Sequence, residues 1–148
     1  MKLKQLKVVV TRKLPSLVEK RMSELFDVDL RDNLHPMSHE DLSSAVAKAD
    51  ILVSSLGDKV SGHILSQPNS KVKLIANYGA GFDHIDIKTA FEKGIIVSNT
   101  PNVLSNDTAD MTLALILSVP RKIYEGSILL RSGEWNGWAP TALLGNRI

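Results

Sequence analysis

Five short apolar runs, each followed by a stretch with helical character, constrain this 148-residue chain more than any other feature. The runs are Lys7–Thr11 (KVVVT), Phe26–Leu30 (FDVDL), Ile51–Ser55 (ILVSS), Val72–Asn77 (VKLIAN) and Ile95–Ser98 (IIVS). Four are short and rich in Val, Ile or Leu, as strands covered on both faces should be. FDVDL alternates, which suits an edge strand. The intervening segments read as helices. Leu14–Leu25 places Leu17, Met22 and Leu25 near one face, with Pro15 in a first turn. Ser38, with Asp41 three residues on, opens the next helix. Gly94 ends the segment DIKTAFEKG as a left-handed stop. Strands alternating with helices imply a parallel sheet with right-handed crossovers. The expectation is an α/β, flavodoxin-like doubly wound sheet of five parallel strands.

In such a sheet, ligands bind beyond the carboxyl ends of the strands. That rule gathers Thr11, Ser54 to Leu56, Asn77 to Gly81 and Asn99 to Pro101 at one mouth. The segment NYGAGFDHID is its most informative part. Gly79 and Gly81 follow a strand, but a dinucleotide fingerprint requires a third glycine where His84 stands. Two readings of these glycines stay open. One is a tight turn that needs positive φ. The other is a loop whose successive N–H groups receive a small anion, with a carboxylate the natural candidate.

Other side chains have local explanations. His35 and His39 have the i, i+4 spacing of a metal pair, but Pro36 interrupts any helix between them, so no metal site is expected. His84 beside Asp83 has the makings of a general base, yet Asp83 and Asp86 serve equally as caps of the following helix. Ser105, Asn106, Asp107 and Thr108 offer caps to an almost wholly apolar helix that runs through MTLALILSV. A helix of that kind is expected to be buried on several sides, in a larger body or against a second subunit. Pro120 breaks or kinks it, and a further helix spans Arg121–Arg131, ending at Gly133. Trp135 and Trp138 lie in a polar context suited to a partner surface.

Composition removes several function classes. With no cysteine there is no thiol catalysis, no disulfide and no thiolate metal site, which fits a reducing, cytoplasmic setting. A net charge of +2 and 5% aromatic residues argue against a nucleic-acid partner. MTLALILSV falls well short of the roughly 20 residues that cross a bilayer. A phosphoacceptor domain would need acidic residues after the first strand, where the chain reads TRKLP.

The run ANYGAGFDHIDIKTAFEKGIIVSNTPNVLSNDTAD resembles the substrate domain of the D-isomer-specific 2-hydroxyacid dehydrogenases. RSGEWNGWAPTALLG is most similar to the glyoxylate and hydroxypyruvate reductase branch. The resemblance extends from Lys7 onward. It implies an oxidoreductase that reduces a small 2-oxo acid with NAD or NADP as hydride donor. It also implies substrate contacts at Leu56, Tyr78, Gly79, Ala80 and Gly81, with backbone N–H groups of the loop on the substrate carboxylate. Val103 and Thr108 match positions against the nicotinamide, and Trp138 matches a residue that reaches a partner subunit. A homodimer through Met111–Val119 and Trp135–Trp138 follows from the same likeness. Residues 1–101 would then be the substrate-binding part, and 102–148 the interdomain and dimerisation helices leading to a cofactor domain. The family's dinucleotide fingerprint and its catalytic Arg, Glu and His have no counterpart here. The chain is accordingly expected to be the N-terminal portion of such an enzyme, inactive alone and without tight cofactor binding. The rival expectation is a non-catalytic carboxylate-binding or dimerisation module on the same fold.

Overall fold

The computed structural model describes residues 3–137 and Gly145. After a 3-10 turn at Leu3–Gln5, the order is β1 (Lys7–Val10), α1 (Ser16–Leu25), β2 (Asp27–Asp29), α2 (His39–Lys48), β3 (Ile51–Val53) and α3 (Gly62–Leu65). β4 (Leu74–Ala76), α4 (Ile87–Glu92), β5 (Ile96–Ser98), α5 (Ser105–Ser118) and α6 (Ile123–Arg131) complete it. The chain divides into two compact units, Met1–Asn102 and Val103–Ile148.

The first unit is a five-stranded sheet in the order β2-β1-β3-β4-β5, with every pairing parallel. This is the flavodoxin-like order, and it puts the alternating FDVDL segment at an edge. One face of the sheet carries the main core. There Val9, Leu52 and Ile75 pack with Leu42, Ala45 and Val46 of α2, Ile64 and Leu65 of α3, and Ala90 of α4. On the other face Val8, Val10 and Leu14 pack with Met22, Phe26 and Val28.

The strands are shorter than the apolar runs suggest. Thr11, Ser54 and Asn77 leave the ladder at its carboxyl edge, although all three are buried. Leu17 is 80% exposed, so the inner side of α1 is Met22 and Leu25 without it. α1 begins at Ser16, and Glu19 stabilises its entry by accepting from the Leu14 N–H at 2.9 Å and from Lys13 Nζ at 2.8 Å. Ser38 caps α2 through the Asp41 N–H, as expected. Asp86 alone caps α4, accepting from the Thr89 N–H at 2.9 Å, and Asp83 takes no part. Gly94 adopts φ +68° and Gly133 φ +73°, the left-handed stops read from the sequence.

In the second unit, α5 follows Leu104, whose side chain offers no cap, so the expected capping by Ser105, Asn106, Asp107 or Thr108 does not occur. Those residues already lie in the helix, where Thr108 N–H donates to the Leu104 carbonyl. Pro120 breaks the helix, and α6 starts at Ile123. No residue of α5 or α6 is buried, so the apolar side chains expected to be packed on several sides face outward here. No helix among the described residues is long and apolar enough to cross a membrane.

Candidate functional site

The parallel order brings the ends of β1, β3, β4 and β5 to one edge, and backbone bonds continue past the strands to lace their loops together. Thr11 N–H donates to the Val53 carbonyl at 3.0 Å, and Tyr78 N–H to the Ser54 carbonyl at 2.7 Å. Asn77 N–H reaches the Ser98 carbonyl at 2.8 Å, and Thr100 N–H the Gly79 carbonyl at 3.0 Å. Each loop is therefore registered against its neighbour, which gives a rigid floor.

Asn77 organises the glycine loop. It is 3% exposed, and its Nδ2 donates to the carbonyls of Gly79 at 3.1 Å and Gly81 at 2.8 Å. Its Oδ1 lies 3.0 Å from His84 Nε2, and with Nδ2 fully used as donor the ring must present Nε2–H to that oxygen. That bond makes His84 a strut of the loop through Nε2. Asn99 Nδ2 takes the third carbonyl, that of Ala80, at 2.8 Å. The carbonyls of Gly79, Ala80 and Gly81 are all engaged. Gly79 N–H closes on the Asn77 carbonyl at 3.0 Å, whereas the N–H groups of Ala80 and Gly81 meet no acceptor among the described residues. Ala80 and Gly81 are the first two of five successive N–H groups, through His84, that meet no acceptor among the described residues. Successive open donors on an exposed loop suit an anion.

The glycines are not there for backbone strain. Neither Gly79 nor Gly81 takes the left-handed region; the positive-φ glycines are Gly57, Gly94, Gly133 and Gly137. A β-carbon on Gly81 would meet nothing within 4 Å, and one on Gly79 only ordinary contacts with Asn77 and Leu56 at 3.5 Å. The tight-turn reading is thereby removed, and what the missing side chains leave is room beside the open N–H groups.

Leu56 stands next to this loop. It occupies the second position of the turn Ser55–Asp58, closed by Asp58 N–H on the Ser55 carbonyl at 3.2 Å, with Gly57 at φ +95° in the third. Its side chain is 57% exposed and lies against Gly79. Tyr78 is 49% exposed. Leu56, Tyr78, Gly79, Ala80 and Gly81 therefore do come together. Asp58 was not singled out from the sequence. It is fully buried, and the only signal for it was its place in the turn LGDK.

Val103 and Thr108 belong to the second unit, where Val103 is 66% exposed. Trp138 lies outside the described residues. His39 opens α2 and stacks on His63 at 5.5 Å, while His35 precedes the helix, so the i, i+4 pair does not form. Among the described residues no group of three His, Asp or Glu could hold a metal. The Gly79–Gly81 turn does not fit a dinucleotide pyrophosphate either. Phe82–Asp86 separate it from α4, so no helix N-terminus faces it. Clefts of about 580 Å³ lie beside the loop, between Gly57–Gly62 and Asp83–Asp86, and at the opposite edge of the sheet around Lys71, Lys73 and Lys93. The open donors sit in neither. They lie on the outer surface of the mouth.

Residues 4–142 match the model of the D-isomer specific 2-hydroxyacid dehydrogenase catalytic domain. A glyoxylate reductase of Thermococcus onnurineus is 37% identical over 143 residues, covering 94% of this chain and 42% of that protein. A glyoxylate reductase of Thermococcus litoralis is 38% identical, covering 94% and 43%. The crystal structure of the TT0316 protein from Thermus thermophilus superposes with a TM-score of 0.85 at 37% identity, over 95% of this chain and 45% of that one. The chain spans less than half the length of these relatives. By its sequence over nearly its whole length, and by the fold of its sheet, the chain belongs to the D-isomer specific 2-hydroxyacid dehydrogenase family.

Proposed function

We propose that this chain supplies the substrate-holding part of an NAD(P)-dependent oxidoreductase that reduces a small 2-oxo acid, of the glyoxylate or hydroxypyruvate type, to the D-2-hydroxy acid. The observation that carries this reading is the pair of open N–H groups on Ala80 and Gly81, on a loop whose three carbonyls are already tied. A carboxylate accepts both donors without displacing any internal bond, and bonds to a charged acceptor are among the stronger ones. With the carboxylate fixed there, Leu56 and Tyr78 border the rest of the molecule and Gly79 keeps Leu56 close. The nicotinamide cofactor, NAD or NADP, supplies the hydride in this family. Because the described residues present no pyrophosphate cradle, the chain by itself is expected to bind a carboxylate and not to turn it over.

Val103 and Thr108 face the cofactor in this reading. Met111–Val119 with Trp135–Trp138 form a subunit contact, for which the apolar surface of α5 and α6 is the support. Calorimetric titration with glyoxylate tests the carboxylate reading. Gly81→Val adds a side chain where nothing lies within 4 Å, so the variant should unfold at the wild-type temperature yet bind glyoxylate at least about tenfold more weakly. Equal binding by both proteins would contradict the assignment, and NADH oxidation by the purified chain would contradict the expectation that it does not turn over.

A further inference from the structure

The Leu56 turn is held with more apparatus than a surface turn needs. Asp58 is a fully buried carboxylate that gathers donors from three separate segments. It accepts from Thr11 Oγ1 at the end of β1 at 2.6 Å and from the Ser55 N–H after β3 at 2.8 Å. It also accepts from the Met37 N–H, just before α2, at 3.1 Å. A buried carboxylate persists only when its oxygens are so satisfied. From the other side, Arg12 Nη2 donates to the Leu56 carbonyl at 2.6 Å. Its Nε is buried with no acceptor among the described residues, so the guanidinium is held there at some cost. Gly57 is locked in as well. Beyond its φ of +95°, a β-carbon there would lie 3.1 Å from Pro36 Cγ and 3.2 Å from Arg12 Nη2. The backbone of the turn is thus pinned before and behind, while the Leu56 side chain is left exposed against the glycine loop.

We propose that Asp58 and Arg12 are positioning residues that fix Leu56 as a wall beside the open N–H pair, and so limit the size of the substituent a bound 2-oxo acid can carry. The inference rests on the reading of Ala80 and Gly81 as the carboxylate cradle. A wall selects by size only if it cannot retreat. A fixed apolar wall on one side of a site discriminates by less than the roughly ten- to 200-fold per methylene of an enclosed apolar pocket, and a turn free to open would lose even that. Neither Asp58 nor Arg12 needs to touch the substrate.

The test compares the affinity of the full chain for glyoxylate with that for a branched 2-oxo acid, 2-oxo-4-methylpentanoate. Wild type should favour glyoxylate by about tenfold or more. Asp58→Asn removes one acceptor from the buried cluster, and Arg12→Met removes the donor to Leu56 while keeping an unbranched apolar stem. Arg12→Met lies outside the core and serves if the Asn variant does not fold. Either should narrow the preference several-fold, chiefly through tighter binding of the branched acid, with little loss for glyoxylate. Leu56→Ala should narrow it too, and Arg12→Met should then add nothing in the Leu56→Ala background. Uniform loss of affinity for both acids would mean a merely structural role and overturn the proposal. So would an unchanged preference in a folded Arg12→Met, or additive effects in the double variant. If wild type bound neither acid, the carboxylate reading itself would fall, and this inference with it.

Discussion

At the scale of single residues, Asn77 organises the loop. One buried amide holds two loop carbonyls and fixes His84, so both of its ends are in use. Asn77→Asp would set a carboxylate oxygen against the carbonyls of Gly79 and Gly81. We expect it to cost about 2 kcal/mol or more in urea unfolding and to abolish glyoxylate binding. Wild-type stability in that variant would show that the amide does not organise the loop. Gly57→Ala, strained by its φ and crowded by Pro36, should cost about 1–3 kcal/mol. Gly81→Ala, which meets open space, should change stability little. The glycines were legible because their residue type stands out in the sequence. Asn77 and Asp58 were not, since Asn77 reads as the last residue of a strand and Asp58 as an ordinary turn aspartate. Only the tertiary arrangement shows which donors each one collects.

At the scale of elements, binary pattern located every strand of the sheet, including the edge position of FDVDL, and its helices α1, α2 and α4, but not the four-residue α3. The ends were less legible. Thr11, Ser54 and Asn77 continue the apolar runs one residue past the strand ends: the Thr11 N–H still reaches Val53 of β3 and the Asn77 N–H reaches Ser98 of β5, while the Ser54 carbonyl receives the Tyr78 N–H of the glycine loop. The polar cap expected for α5 is absent because Leu104, not one of the polar residues after it, stands at the cap. α1 offers a test with a definite sign. The side-chain bond from Lys13, then the Leu14 N–H, hold the Glu19 carboxyl below its usual 4.5. A depressed carboxylate contributes stability above its unfolded value and loses it as pH falls through its folded value. Glu19→Gln should therefore lower the urea midpoint at neutral pH and flatten its decline toward about pH 3. Parallel curves for the two proteins would show that the pair does not anchor the start of the helix.

At the scale of the whole molecule, the sequence suggested an apolar helix covered in a larger body or by a second subunit, and in the chain by itself α5 and α6 present Met111, Leu113, Leu117, Tyr124 and Leu130 outward. The pattern reported the apolar character correctly, but periodicity cannot say what covers such a surface. A surface of this kind drives association. The chain should sediment as a dimer or larger species, and Leu113→Glu with Leu117→Glu should shift it toward monomer; a monodisperse wild-type monomer would count against that. The central claim is narrower and belongs to the first unit: the mouth of this sheet receives a carboxylate on two backbone donors. Its most direct test follows the amide resonances of the isotope-labelled chain during titration with glyoxylate. The account predicts that Ala80 and Gly81 shift first and furthest and saturate together, while the amides of Gly79 and Tyr78, already bonded within the protein, move little. Saturable shifts centred elsewhere, or none at the loop at any concentration, would contradict it.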